Sequence, residues 1–236
     1  MGFLFRRLIR CALHPVQGFR EQAVVSPGFG ASFGWMMALR GSFSVLGGLL
    51  TLHAVYRDYP LFKNLQGSMW QGVFHRLPAD INVEDLRAFV LNLPDLPPWT
   101  SIWPWMLVLG PLGIASAWLH NAVWDHTCLW MLGGVKRTGS WRVTFIAEAE
   151  AMQVGTLDAA FSLFSFIPLA GLLMAPFFML SGAYFWVMRG IALAAFHQAP
   201  IWKGVVATVL HILLATLCLC GMVGICWVMI MQAVIS

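Results

Sequence analysis

The sequence predicts an all-α fold, a polytopic transmembrane helical bundle of five spans with a cytoplasmic N-terminus and an N-terminal interfacial amphipathic helix. Three observations carry that prediction. Apolar residues make up 59% of the chain and charged residues 10%, with a mean hydropathy of +0.76. That leaves too little polar surface to coat a soluble globule of this size. The apolar residues form runs long enough, at about 1.5 Å per helical residue, to cross a hydrocarbon core of about 30 Å. The cations gather at alternate ends of those runs, as they do when Lys and Arg are held in the cytoplasm during insertion. The net charge of +4 and pI near 9.0 are therefore read as topology determinants. The basic residues do not interleave with stacking aromatics, so no nucleic-acid partner is expected.

Residues 1–33 are read as a cytoplasmic arm and connector. In MGFLFRRLIRCALHP, Leu4, Phe5, Leu8, Ile9, Ala12 and Leu13 share one helical face and Arg6, Arg7 and Arg10 the other. Such a helix lies in the interface and is attracted to anionic headgroups. It lacks the unbroken apolar core of a signal peptide, and Arg6 stands where a myristoylation signal has Ser or Thr. After Pro15, residues 16–33 read as a polar, Gly-rich connector.

The membrane domain is expected over residues 34–236. The first span covers about residues 34–56, with Arg40 snorkelling near its inner end. Gly30 with Gly34, and Gly47-Gly48, are candidate close-approach points for a neighbouring helix. Residues 57–98 are expected as an outer loop. Leu61, Phe62, Leu65, Met69 and Val73 repeat there at helical spacing along the membrane surface, and Asp80 or Asn82 caps a short helix that Pro94 ends. The second span, about 102–132, opens on the interfacial aromatics Trp99, Trp103 and Trp105 and stops at Gly133-Gly134, where a left-handed cap is easily formed. The third, about 142–166, carries Glu148, Glu150, Gln153 and Asp158. A hairpin over residues 167–171, with Pro168 and Gly171, leads to the fourth span, about 171–193, and the fifth follows at about 203–234.

Charge follows this topology. Residues 1–33 hold Arg6, Arg7, Arg10 and Arg20 against Glu21; residues 133–142 hold Lys136, Arg137 and Arg142; and Arg189 and Lys203 bracket the last turn. The outer loop instead carries Arg57, Lys63, Arg76 and Arg87 against Asp58, Asp80, Glu84, Asp85 and Asp95, an excess of acid.

Several of these marks recur in a known order: His14-Pro15 with Phe19-Arg20, the run HTCLWMLGG from His126 to Gly134, Ser140-Trp141, Ile167-Pro168 with Gly171, and Gly190 with His197. In them the chain resembles the Yip1 domain family, small five-span membrane proteins of bacteria and eukaryotic secretory membranes, over most of residues 14–225. The resemblance implies a helical bundle with a cytoplasmic N-terminus and no established catalytic activity. Eukaryotic members act as partners of small GTPases and membrane-shaping proteins, and some bacterial members look like accessories to membrane transport. The short basic arm of this chain departs from the eukaryotic form. That disfavours a GTPase partner and favours a bacterial cytoplasmic (inner) membrane.

Charged groups within apolar helices are costly, about 2.5–3.5 kcal/mol each on insertion scales, and mark places worth inspecting. His120, Asp125, His126, Glu148, Glu150, Asp158 and His197 form that set; the candidate polar cluster is His126, Glu148, Glu150, Asp158 and His197, of which His126, His197, Glu148 and Glu150 are placed together at the cytoplasmic mouth of the bundle. Imidazole beside carboxylate suits proton relay or a divalent metal. The rival reading has the same groups bonded to one another and to headgroups, fixing helix ends. Glu148, Met152, Gly155 and Ala159 share one helical stripe open to a partner helix, with Glu150 and Asp158 on other faces. Asp158 is read as the deepest acid.

His120 and His126 are six residues apart, about 240° on a helix, which argues against a two-histidine metal clamp. His53 and His211 read as isolated packing residues, and Cys11, Cys128, Cys218, Cys220 and Cys226 as buried thiols. No nucleophile–base pair or phosphate loop is present, so neither an enzyme nor a cofactor is expected. The expected function is a non-enzymatic scaffold or accessory protein acting through membrane lipids and a protein partner or second copy. The alternative is a subunit of an ion, proton or lipid transporter or channel that uses the buried acids and histidines.

Overall fold

A computed structural model describes residues 2–25, 27–74, 95–135 and 140–235, and these residues are helical apart from short turns. In chain order the helices are α1 (Gly2–Leu13), α2 (Pro15–Val25), α3 (Phe29–Met36), α4 (Ser42–Phe74), α5 (Trp99–Met131), α6 (Ser140–Val154), α7 (Thr156–Ser162), α8 (Pro168–His197) and α9 (Ile201–Ile235). A π-helical turn, Met37–Gly41, joins α3 to α4, and a 3-10 turn, Leu163–Phe166, precedes α8. Four helical stretches among the described residues are long and apolar enough to cross a membrane: Phe29–Leu65, Trp99–Met131, Leu173–His197 and Ile201–Met229. They correspond to the expected first, second, fourth and fifth spans.

The expected third span has a different construction. It is divided at Gly155 into α6 and α7, and from Ile146 to Thr156 every residue is buried. α6 packs against α8, α3 and α1, which replace both lipid and water around it. A helix wrapped in protein is free to carry Glu148, Glu150 and Gln153, because other side chains supply their partners.

The chain divides into two compact units, Met1–Ser44 with Pro111–Ser236, and Val45–Gly110. Within the smaller one, α4 and α5 run antiparallel. A Cβ at Gly110 would lie 2.9 Å from Val45 Cγ2 and 3.0 Å from its backbone nitrogen, and one at Gly48 would lie 3.2 Å from the Met106 sulfur. Gly48 is thus a close-approach point, as expected. Further along, His53 sits edge-on to Trp99, Tyr56 donates to the Pro97 carbonyl, and Lys63 pairs with Asp95 at 2.9 Å.

The expected break at residue 57 does not occur. α4 continues through Pro60 to Phe74, so the helical spacing of Leu61, Phe62 and Leu65 belongs to an extension of the first apolar helix. The short helix expected after Asp80 falls outside the described residues.

In the larger unit the connector expected over residues 16–33 is helical. Phe19 and Ser32 are fully buried in it, and Pro15 opens α2 directly after His14. Its polar composition misleads because its partners are protein side chains, not water. α1 is docked as well, with Leu8 and Cys11 in the core. A Cβ at Gly18 would lie 2.8 Å from Cys11 Cα, so glycine there lets α1 and α2 meet backbone to backbone. Gly30 and Gly34, by contrast, have no neighbouring atom within 4 Å of a built Cβ and are not packing points within this chain.

α8 and α9 cross at Gly190 and Gly204, where a Cβ on Gly204 would fall 2.0 Å from the Gly190 carbonyl oxygen and 2.8 Å from Ala194 Cβ. Small residues permit this contact, the usual means of close helix approach in lipid. α5 ends in the expected cap. Gly133 has φ +63°, Gly133 N donates to Trp130 O at 2.9 Å, and Gly134 N donates to Leu129 O at 2.9 Å. This is the paired bonding of a Schellman turn.

α8 closes the same way, with Gln198 at φ 57° in the position glycine usually takes. At its other end α8 begins at Pro168, as suits a residue without an N–H, so Gly171 lies inside the helix and the turn is formed by residues 163–167. Cys218, Cys220 and Cys226 are exposed on α9, and only Cys11 and Cys128 are buried as expected.

Candidate functional site

Three groups of buried polar residues stand out in the larger unit, each built from different helices. The first centres on Arg189, on α8, whose side chain is 1% exposed. Its Nη2 donates to Asp125 Oδ2 on α5 at 2.6 Å, and its Nε to Glu148 Oε2 on α6 at 3.1 Å. Asp125 Oδ1 lies 2.6 Å from His211 Nδ1 on α9, and His211 Nε2 lies 3.3 Å from His120 Nε2 on α5. Neutral rings satisfy both contacts when His211 donates from Nδ1 to the carboxylate and accepts at Nε2 from His120.

Trp124 stacks on His211 with an interplanar angle of 5°, and the Arg189 guanidinium sits 4.3 Å from the Trp186 ring centroid. One cation therefore faces two carboxylates inside a shell of indoles. Glu148 Oε1 has no hydrogen-bond partner among the described residues, and the Glu148 carboxyl group has that of Asp125 as a neighbour.

The second group joins His126 on α5, Thr144 on α6 and His197 at the end of α8. The Thr144 hydroxyl lies 2.7 Å from His126 Nδ1 and 2.8 Å from His197 Nε2. A hydroxyl has one proton, so it donates to one ring and accepts from the other. Trp141 stacks on His126 with ring centroids 3.8 Å apart, and both rings line a cavity of about 260 Å³ with Thr127 and Trp130.

The third group ties α1 and α3 to α6. Ser32 Oγ donates to Glu150 Oε1 at 2.7 Å, and Gln153 Nε2 donates to the Ser32 carbonyl at 3.1 Å and to Glu150 Oε1 at 3.2 Å. Arg7 reaches in from α1, with Nη2 at 3.3 Å from Glu150 Oε2 and bonded to Gln153 Oε1. The face of α1 expected to meet headgroups thus sends one arginine inward.

The expected candidate cluster does not converge. His126 and His197 come together, but Glu148 and Glu150 belong to separate groups, as their angular separation on α6 requires. Asp158, read as the deepest acid, is only half-buried. It lines an apolar cavity of about 210 Å³ beside Tyr184 and Phe185 and acts electrostatically on Arg40, which donates to the Gly155 carbonyl. Asp125 and Glu148 are the fully buried acids.

The stripe of Glu148, Met152 and Gly155 does meet a partner helix, α8. Glu148 bonds Arg189, and a Cβ on Gly155 would fall 2.3 Å from the Phe185 ring.

Two residues of the first group escape a linear reading. Arg189 lies two turns before the end of α8 and reads as a topology charge, whereas it is an internal counter-ion. His211 reads as isolated and is in fact bonded to Asp125. The available signal is the pairing of two acids, Asp125 and Glu148, with Arg189 as the one cation inside the fourth span.

Lys203 donates to the Gly133 carbonyl at 3.1 Å, and Arg20 lines a cavity with Gln198 and Ala199. The end of α5, the α8–α9 turn and Arg20 of α2 therefore lie at one end of this unit. Comparison of the chain with family models, with curated proteins and with solved structures finds no match.

Proposed function

We propose that this chain is a non-enzymatic scaffold of the Yip1 type in a bacterial cytoplasmic membrane, crossing it five times with its amino end in the cytosol and acting through lipids and a protein partner or second copy. One observation carries the reading. The buried acids and histidines meet three separate sets of partners, and each set bonds several helices together, as ties that hold a bundle in register do. The first group alone spans α5, α6, α8 and α9. The topology draws support from the clustering of the Gly133 turn, the α8–α9 turn and α2 around Arg20 at one end, where Lys203 also lies. Arg189 does not contribute to that asymmetry, being neutralised internally. Affinity capture of tagged protein in mild detergent tests the proposal: a reproducible partner or a defined oligomer is expected, and its absence across detergents removes the scaffold reading.

A transport role has one observation in its favour, the unpartnered Glu148 Oε1 in a site with two carboxylates and one cation. Vesicles reconstituted with the protein test it directly. Proton, cation or lipid flux that Glu148→Gln abolishes supports transport, and no flux removes it.

A further inference from the structure

The junction of α1 and α2 forms a half-open cavity of about 320 Å³ whose wall carries Arg6, Arg7 and Arg10 on one helix and Glu21 and Gln22 on the other. Its floor is the Gly18–Cys11 crossing, where the two backbones touch. A volume of about 320 Å³ is ample for a phosphodiester group.

The charges in and behind this wall are unequal. Arg7 is compensated by Glu150, and its Nη1 also lies 3.5 Å from Gln22 Oε1, so it is held in place. Arg10 pairs with Glu21 at 2.6 Å, but both side chains are about half exposed, and such pairs are weak and easily rearranged. Arg6 is exposed and has no carboxylate partner among the described residues. Three guanidinium groups against two carboxylates leave a surplus of one positive charge, which one monoanion neutralises. Planar guanidinium forks match phosphate oxygens in geometry as well as in charge.

The same two helices expose Phe5 at 58%, Leu13 at 68%, Val24 at 86% and Val25 at 73%. A free ion makes no use of these side chains, whereas the glycerol and acyl chains of a lipid do.

From this juxtaposition we infer that the α1–α2 cavity is a binding site for the phosphate headgroup of an anionic phospholipid. Arg6 and Arg10 are its mobile ligands, Arg7 is the fixed one, and Phe5 and Leu13 lie against the acyl region. The inference deepens the lipid side of the scaffold proposal and fails separately from it, since loss of lipid preference leaves partner capture untouched.

The test uses purified full-length protein in detergent, titrated with phosphatidylglycerol, with phosphatidylcholine of the same chains and with inorganic phosphate, bound ligand being read by native mass spectrometry. Wild type is expected to prefer phosphatidylglycerol. Arg6→Gln should weaken that lipid about fivefold and Arg6→Gln with Arg10→Gln about 25-fold, at about fivefold per surface cation, while Arg57→Gln changes nothing. Arg7 is retained in every variant because it neutralises Glu150. The single variant keeps the Arg10–Glu21 pair intact and guards against a folding defect in the double one. Equal affinity for the two lipids, or wild-type affinity in both arginine variants, overturns the inference. Inorganic phosphate binding as tightly as the lipid also overturns it, by assigning the cavity to a free anion.

Discussion

Arg189 and Asp125, 64 residues apart in sequence, form an ion pair of 2.6 Å with side chains 1% and 0% exposed. Such a pair is expensive to bury and far more expensive to break. Arg189→Met leaves Asp125 and Glu148 buried without a cation, and the expected loss of stability is about 3–5 kcal/mol. Combining it with Asp125→Leu and Glu148→Leu removes the orphaned charges, so the triple variant should melt higher than Arg189→Met alone. Thermal unfolding in detergent compares the two.

At the α8–α9 crossing the prediction turns on backbone distance. Gly204→Ala places a Cβ where the Gly190 carbonyl oxygen already lies and should destabilise by about 1–3 kcal/mol. Gly182→Ala, on α8 with open space around its Cβ, should instead stabilise by about 0.5–1 kcal/mol through helix propensity. Opposite shifts in melting temperature are the expected result.

Thr144 lies between two imidazoles, and its hydroxyl separates their ring nitrogens. Thr144→Val keeps the shape and removes the bridge, leaving buried ring nitrogens without that partner, at a cost of about 1–3 kcal/mol. Thr144→Ser should keep most of the stability. Chemical denaturation of the three proteins separates the loss of the hydroxyl from the loss of a methyl group.

Cys11 is the titratable group of the arm that burial perturbs most clearly. Desolvation pushes its thiol up to about 11, against the opposing pull of Arg7 and Arg10 and with the support of Glu150 and Glu21. Between its ordinary value of 9.0 and about 11 the unfolded chain loses this proton and the folded chain keeps it. Stability contributed here is therefore present below pH 9 and lost as pH rises through the folded value. The melting temperature of wild type should fall more steeply over that window than that of Cys11→Ala, and the difference between the two curves isolates the thiol.

The four long apolar helices were legible as runs long enough to cross hydrocarbon, with recognisable marks at Gly133-Gly134 and Pro168, whereas the end of the first was not, since α4 continues past residue 57 through Pro60. The third segment was legible as anomalous, since Glu148, Glu150 and Gln153 within two turns are too costly for a helix in lipid. Its resolution was not, because a one-dimensional pattern does not say whether such side chains meet water, headgroups or an arginine from another helix. The same ambiguity hid α2 and α3, whose Gln, Arg and Ser residues read as solvent-facing until Phe19 and Ser32 are seen in the core.

Composition and run length, acting through the cost of placing polar backbone and charge in hydrocarbon, dictated an all-helical chain with four helices long and apolar enough to cross a bilayer. Which acid meets which cation was decided by tertiary structure. Helices α5, α6, α8 and α9 bring Asp125, Glu148, Arg189 and His211 into one contact while sending Glu150 to Ser32 and His126 to Thr144. Burial of an ion is tolerable only within about 3 Å of its counter-charge, and that distance exists only once the helices have packed.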